Sequence, residues 1–124
     1  KTKPEMFKEV EQSISWQMEF PGGIIADCDC SYAEQMNLLR ADAEKGWFEL
    51  SPAFGYRGIK GQTINGKMDF PQVNQQALQM DDFAQAIKSK RATPVPGEMG
   101  KQDVKILQAI YKAAETGKRV EIKD

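Results

Sequence analysis

The chain has 124 residues, about the size of one domain, with 17 Lys and Arg against 18 Asp and Glu and a formal net charge of -1. So even a balance gives no electrostatic footprint for nucleic acid or an anionic membrane. No apolar run approaches the roughly 20 residues of a membrane span. The absence of histidine excludes His-based acid–base catalysis and His-ligated metals within the chain.

A chain of this length can bury most of its apolar surface without staples, and its 40% hydrophobic content is that of an average domain. It opens at Lys1 rather than Met and shows no signal sequence. The expectation is a trimmed fragment, its compartment open between cytoplasm and periplasm.

Residues 11–20 (EQSISWQMEF) alternate, with Ile14, Trp16, Met18 and Phe20 on one face and Ser13, Ser15, Gln17 and Glu19 on the other. That is a half-buried strand. Pro21-Gly22-Gly23 is a turn, and IIADCDCSYA (Ile24 to Ala33) is the returning strand. Met36–Asp42 and Trp47–Ser51 form a second pair around Ala43-Glu44-Lys45-Gly46. RGIKGQTI and KMDF flank Asn65-Gly66, a hairpin-turn signal. The period then changes. Val73, Ala77, Met80, Ala84 and Ile87, widened by Phe83, fall at helical spacing, and Lys88, Lys90 and Arg91 suit the helix C-terminus. After the loop ATPVPGE, a second helix starts near Gly97 with the stripe Val104, Leu107, Ile110, Tyr111 and Ala114, and Gly117 is its C-cap. RVEI offers a final short strand at the sheet edge. Strands first and helices afterwards predict an α+β fold. Its sheet is largely antiparallel, of about six or seven strands. Two helices pack on the face carrying Ile14, Trp16, Met18 and Phe20, and the other face is open for oligomerisation.

Several residues invite a chemical reading. Cys28 and Cys30 share a strand face with Ile24, Ala26 and Tyr32, while Asp27 and Asp29 point the opposite way with Ile25 and Ser31. The thiols therefore continue an apolar row. A bridge between them is disfavoured by parallel Cβ vectors, and zinc would require more ligands than two thiols. GYRGIKG (Gly55 to Gly61) has a glycine at every third position with Arg57 and Lys60 between. A phosphate loop needs a following helix, which is missing here. Hairpin geometry explains the glycines, with ligand contact by Tyr56 or Arg57 as the alternative. Asp81-Asp82 are helix neighbours about 100° apart and belong to a solvated face, not a catalytic dyad. Asn74, Gln75 and Gln76 read as caps or as reaching a polar ligand. The residues alone describe an α+β binding or assembly module with no nucleophile–base pair, dinucleotide fingerprint or metal cluster.

The order of motifs adds to this. FKEVEQSISWQMEFPGGIIADCDCSY, EKGWFELSPAFGY, NQQALQMDDFAQAI and TPVPGEMGKQDVKILQAIYKAAETGKRVEI together resemble the C-terminal domain of the glucose–fructose oxidoreductase / inositol dehydrogenase (Gfo/Idh/MocA) family. The glucose–fructose oxidoreductase branch looks closest. The resemblance implies that residues 1–124 are a single substrate and oligomerisation domain. Its partner is an N-terminal Rossmann domain, absent from this chain, that binds NAD or NADP. It also implies a sugar or polyol-like substrate and homo-oligomers built through the open sheet face. Family members work with a Lys in Glu-Lys-Pro and an Asp, often with a His, in a Gly-rich helix entry, all upstream of the matched region. This chain has Glu44-Lys45-Gly46 in a hairpin turn, so no catalytic, cofactor-binding or metal residue is assigned. Tyr56, Arg57 and Gln75 remain as substrate-binding candidates. The alternative is a stand-alone sugar-binding or oligomerisation module.

Overall fold

The computed structural model describes residues 5–122. Its elements are β1 (Ser13–Glu19), β2 (Ile25–Ser31), β3 (Leu39–Ala43), β4 (Gly46–Leu50), β5 (Gly61–Thr63), β6 (Gly66–Met68), α1 (Gln75–Ser89) and α2 (Gly97–Thr116). This is the expected α+β order. All pairing is antiparallel, but the strands divide into a two-stranded sheet, β1–β2, and a four-stranded sheet ordered β3–β4–β5–β6. The division follows Ser31, whose Oγ accepts from the Ala33 N–H at 3.0 Å and the Glu34 N–H at 3.1 Å. Such a local turn draws the backbone away from the ladder. Residues 119–122 form no strand. A strand requires a paired neighbour, and none of the described strands offers one.

The chain divides after Gln75 into two compact units. In the first, β1 and β2 keep the register Ile14 opposite Cys30, Trp16 opposite Cys28 and Met18 opposite Ala26. The facing loop is closed by the Phe20 N–H donating to the Ile24 carbonyl at 2.8 Å. The opposite face is a ladder of cross-strand polar pairs. Ser13 meets Ser31, Ser15 Oγ donates to Asp29, and Gln17 Nε2 donates to Asp27 Oδ1 at 2.9 Å. Both carboxylates are thereby satisfied within the hairpin.

In the second sheet, the β5–β6 corner is Ile64-Asn65, not Asn65-Gly66, with Thr63 paired to Gly66. A two-residue turn centred on Asn-Gly would need both residues at positive φ; here Gly66 has φ 120 and Asn65 does not. Ile64 is instead drawn toward β4. Its N–H donates to the Trp47 carbonyl at 3.2 Å, and its Cγ2 occupies the space a Cβ on Gly46 would need.

The second unit carries the helices. α1 ends in a Schellman pair: the Arg91 N–H donates to the Ala86 carbonyl at 3.1 Å and the Lys90 N–H to the Ile87 carbonyl at 3.2 Å. Lys90 takes the left-handed conformation, φ 53. Gly117 closes α2 at φ 65, its N–H on the Ala113 carbonyl at 2.8 Å. The apolar stripes exist but are uncovered. Met80 and Ile87 on α1 are 72% and 64% exposed, and Val104, Leu107 and Tyr111 on α2 are each about half exposed. Val73, expected in the α1 stripe, precedes the helix, which begins at Gln75. Among the described residues no large side chain is fully buried, and Ala53 and Ala86 are the buried apolar positions.

Candidate functional site

The first unit shapes a cleft around the connection between β4 and β5. The Ser51 N–H donates to the Lys60 carbonyl at 2.8 Å, pinching the neck of the loop formed by residues 51–60. Asn37 Oδ1 accepts from the Ala53 and Phe54 N–H groups, each at 2.7 Å, and so fastens one limb of the loop to the segment before β3. Ala53 lies buried at that junction. The tip, residues 55–58, is left free to project, with Gly58 at φ 73.

Below the tip lies a cleft of about 310 Å³. Leu50, Ile59, Phe70 and Val73 form its apolar wall. Tyr56, Arg57, Gln72 and Gln75 supply its polar groups. All three substrate-binding candidates of the sequence, Tyr56, Arg57 and Gln75, thus line one cavity. Gln75 begins α1 but does not turn its amide onto the helix; its Nε2 makes a long contact of 3.5 Å to the Gly55 carbonyl. Gln72, Phe70 and Val73 were not expected at a site; Val73 was expected in the α1 stripe and Phe70 in the strand KMDF. The available signal was Pro71, which keeps the Phe70 backbone out of the helical region. Gly61 supports the wall from behind, since a Cβ there would lie 2.8–2.9 Å from Leu50, Met68 and Phe70.

The other chemically suggestive residues are engaged elsewhere. Cys28 is half-buried and Cys30 exposed, both as free thiols. Burial, with Asp27 and Asp29 adjacent, pushes the Cys28 thiol above its ordinary value. Among the described residues no three Cys, Asp or Glu side chains gather as a metal site. Asp82 is not simply solvated, because it pairs with the Arg91 guanidinium. On β3 and β4, Arg40 bonds Asp42 at 2.8 Å and Glu49 at 3.3 Å and lies 4.7 Å over the Trp47 ring. The hydrogen bond from Arg40 holds the Asp42 carboxyl below its ordinary value. Among the described residues no helix is long and apolar enough to cross a membrane.

A dinucleotide does not fit these residues. Its pyrophosphate is held where a strand passes through a glycine turn into a helix N-terminus. Here α1 follows the extended stretch after β6. α2 follows a loop, is N-capped by Pro96 without a side-chain bond, and carries Glu98 in its first turn.

The chain thus has α+β architecture, with phenol, guanidinium and amide groups lining an apolar cleft in its first unit. Residues 57–122 match the family model described as "Oxidoreductase family, C-terminal alpha/beta domain", and the chain belongs to that Gfo/Idh/MocA family. It is also similar to the crystal structure of aldose-aldose oxidoreductase from Caulobacter crescentus complexed with glycerol. That match has 33% identity and a TM-score of 0.90, and covers 98% of this chain and 38% of the other. The chain therefore spans well under half the length of that enzyme.

Proposed function

We propose that residues 1–124 form a single C-terminal domain of an NAD(P)-dependent oxidoreductase acting on a sugar or polyol-like substrate. The observation that carries this reading is the likeness to the Caulobacter aldose-aldose oxidoreductase, which extends over 98% of the chain. In this reading the cleft contributes Tyr56, Arg57 and Gln75 to substrate binding, while an N-terminal Rossmann domain on the same polypeptide holds NAD or NADP. The nicotinamide would supply hydride transfer. The residues described above orient the substrate, using phenol, guanidinium and amide donors against an apolar wall. The exposed sheet face joins subunits, supported by the exposed Ile25 beside the polar ladder of β2.

The test is steady-state kinetics of the full polypeptide with an aldose and NAD(P). Tyr56→Phe and Gln75→Ala should raise KM for the sugar several-fold and leave KM for the nicotinamide unchanged. The opposite pattern, or an upstream region without a Gly-x-Gly-x-x-Gly turn, contradicts the assignment. Sedimentation equilibrium tests the assembly role separately, and a strictly monomeric polypeptide argues against it.

A further inference from the structure

We infer that the cleft selects a sugar bearing an anionic group, a carboxylate or a phosphate, over a neutral sugar, with Arg57 as the specificity-determining residue. The inference rests on the substrate-binding reading above and concerns which member of the sugar class is preferred.

Three observations carry it. First, the side chains lining the cleft contain a guanidinium, a phenol and two amides, but no carboxylate. Neutral polyols offer hydroxyls that both donate and accept, and a site built for them alone gains from carboxylate acceptors. This lining is rich in donors and has only the weaker acceptors of Tyr56, Gln72 and Gln75. Second, Arg57 makes no ion pair among the described residues, whereas Arg40 and Arg91 are each neutralised by a carboxylate. A planar guanidinium with its donors uncommitted matches a carboxylate or phosphate in bidentate fashion. Third, the charge along the chain is segregated here. Residues 50–68 contain Arg57, Lys60 and Lys67 and no Asp or Glu. At the borders, Glu49 is tied to Arg40 and Asp69 is not among the residues lining the cleft. Arg57 is exposed beside the apolar wall of Leu50, Ile59, Phe70 and Val73, so its guanidinium is open to an arriving anion.

The test is calorimetric titration of the longest polypeptide the gene encodes, at physiological ionic strength. The probes are D-gluconate, D-glucose 6-phosphate, D-glucose and inorganic phosphate. The expected result is that at least one acidic sugar binds about tenfold more tightly than glucose, as one charge-assisted pair allows. Gluconate and glucose 6-phosphate distinguish a carboxylate from a phosphate. Arg57→Gln should bring the acidic and neutral sugars to about equal affinity, and Arg57→Lys should restore part of the preference. Equal binding of glucose and both acidic sugars overturns the inference and leaves the sugar-binding reading standing. Binding of none of the three sugars overturns both. Inorganic phosphate binding as tightly as glucose 6-phosphate also overturns it, since the site would then recognise the anion without the sugar. An undiminished preference in Arg57→Gln removes Arg57 from the argument.

Discussion

Cys28 and Cys30 are chemically alike but differently placed. Alternation along β2 puts both on the apolar side, and the register seats Cys28 against Trp16 and Cys30 against Ile14. That much follows from a period of two. The depth of each thiol does not, because it depends on what covers each end of the strand. Cys28 is half-buried between two carboxylate-bearing neighbours, while Cys30 is exposed. Only the thiolate is nucleophilic, and raising a thiol's pKa depletes it near neutral pH. Iodoacetamide at mildly alkaline pH should therefore alkylate Cys30 first. Cys28 should lag several-fold, because it is half-buried and its thiol keeps its proton to higher pH than an ordinary thiol. Peptide mass spectrometry over time reads both rates. Equal rates, or Cys28 leading, contradict the placement. Tyr56, Arg57 and Gln75 teach the complementary lesson. Their polar character beside glycines and a helix start was legible. Their convergence was not, because it depends on Asn37 fastening a loop that lies 16 residues away in sequence.

At the level of elements, the strands and helices follow from the change of period, but their ends depend on local chemistry. Asn65-Gly66 carries a strong turn signal, yet the corner lies one residue earlier, where the Ile64 N–H reaches the Trp47 carbonyl and Ile64 lies against Gly46. A backbone bond to β4, which sequence does not display, accompanies the shift. At the end of α1, the basic run Lys88, Lys90, Arg91 was legible as favourable to the dipole. Its second role was hidden, because Lys90 also provides the left-handed residue of the Schellman turn, φ 53. A non-glycine residue in that conformation costs about 1–2 kcal/mol, part of which glycine returns through its freer unfolded chain. Lys90→Gly should therefore stabilise the chain by about 0.5–1 kcal/mol, with helical circular dichroism preserved. Lys90→Val should destabilise it, since a branched Cβ suits that conformation worst. Chemical denaturation of the two variants measures the order. A glycine variant less stable than the parent would mean that the Lys90 side chain contributes more than its backbone costs.

At the scale of the whole molecule, the decisive feature is the apolar surface that the chain leaves open. A domain near this size ordinarily buries about two thirds of the surface its unfolded chain exposes. Here Phe20, Ile24, Phe48, Met80, Phe83 and Ile87 are all exposed, as are the α2 residues Val104, Leu107 and Tyr111. The sequence showed these stripes but not their covering, since amphipathic periodicity says which face is apolar and not what lies against it. In the function proposed above, the cover is the remainder of a longer polypeptide, a reading supported by the match to 38% of a longer enzyme. Hydrophobic burial scales with area removed from water, at about 25 cal/mol per Å². A chain that leaves these faces wet keeps its ladders and caps but loses much of what makes unfolding cooperative. Expressed alone, residues 1–124 should retain strand and helix signals in far-ultraviolet circular dichroism, bind an anilinonaphthalene dye strongly and unfold over a broad urea range. The longer polypeptide should bind the dye several-fold less and unfold more steeply, because the denaturant slope follows the surface exposed on unfolding. Both forms are measured at several protein concentrations, so that self-association registers as a concentration-dependent midpoint. A sharp, concentration-independent transition without dye binding from the short chain alone would show that these faces need no cover.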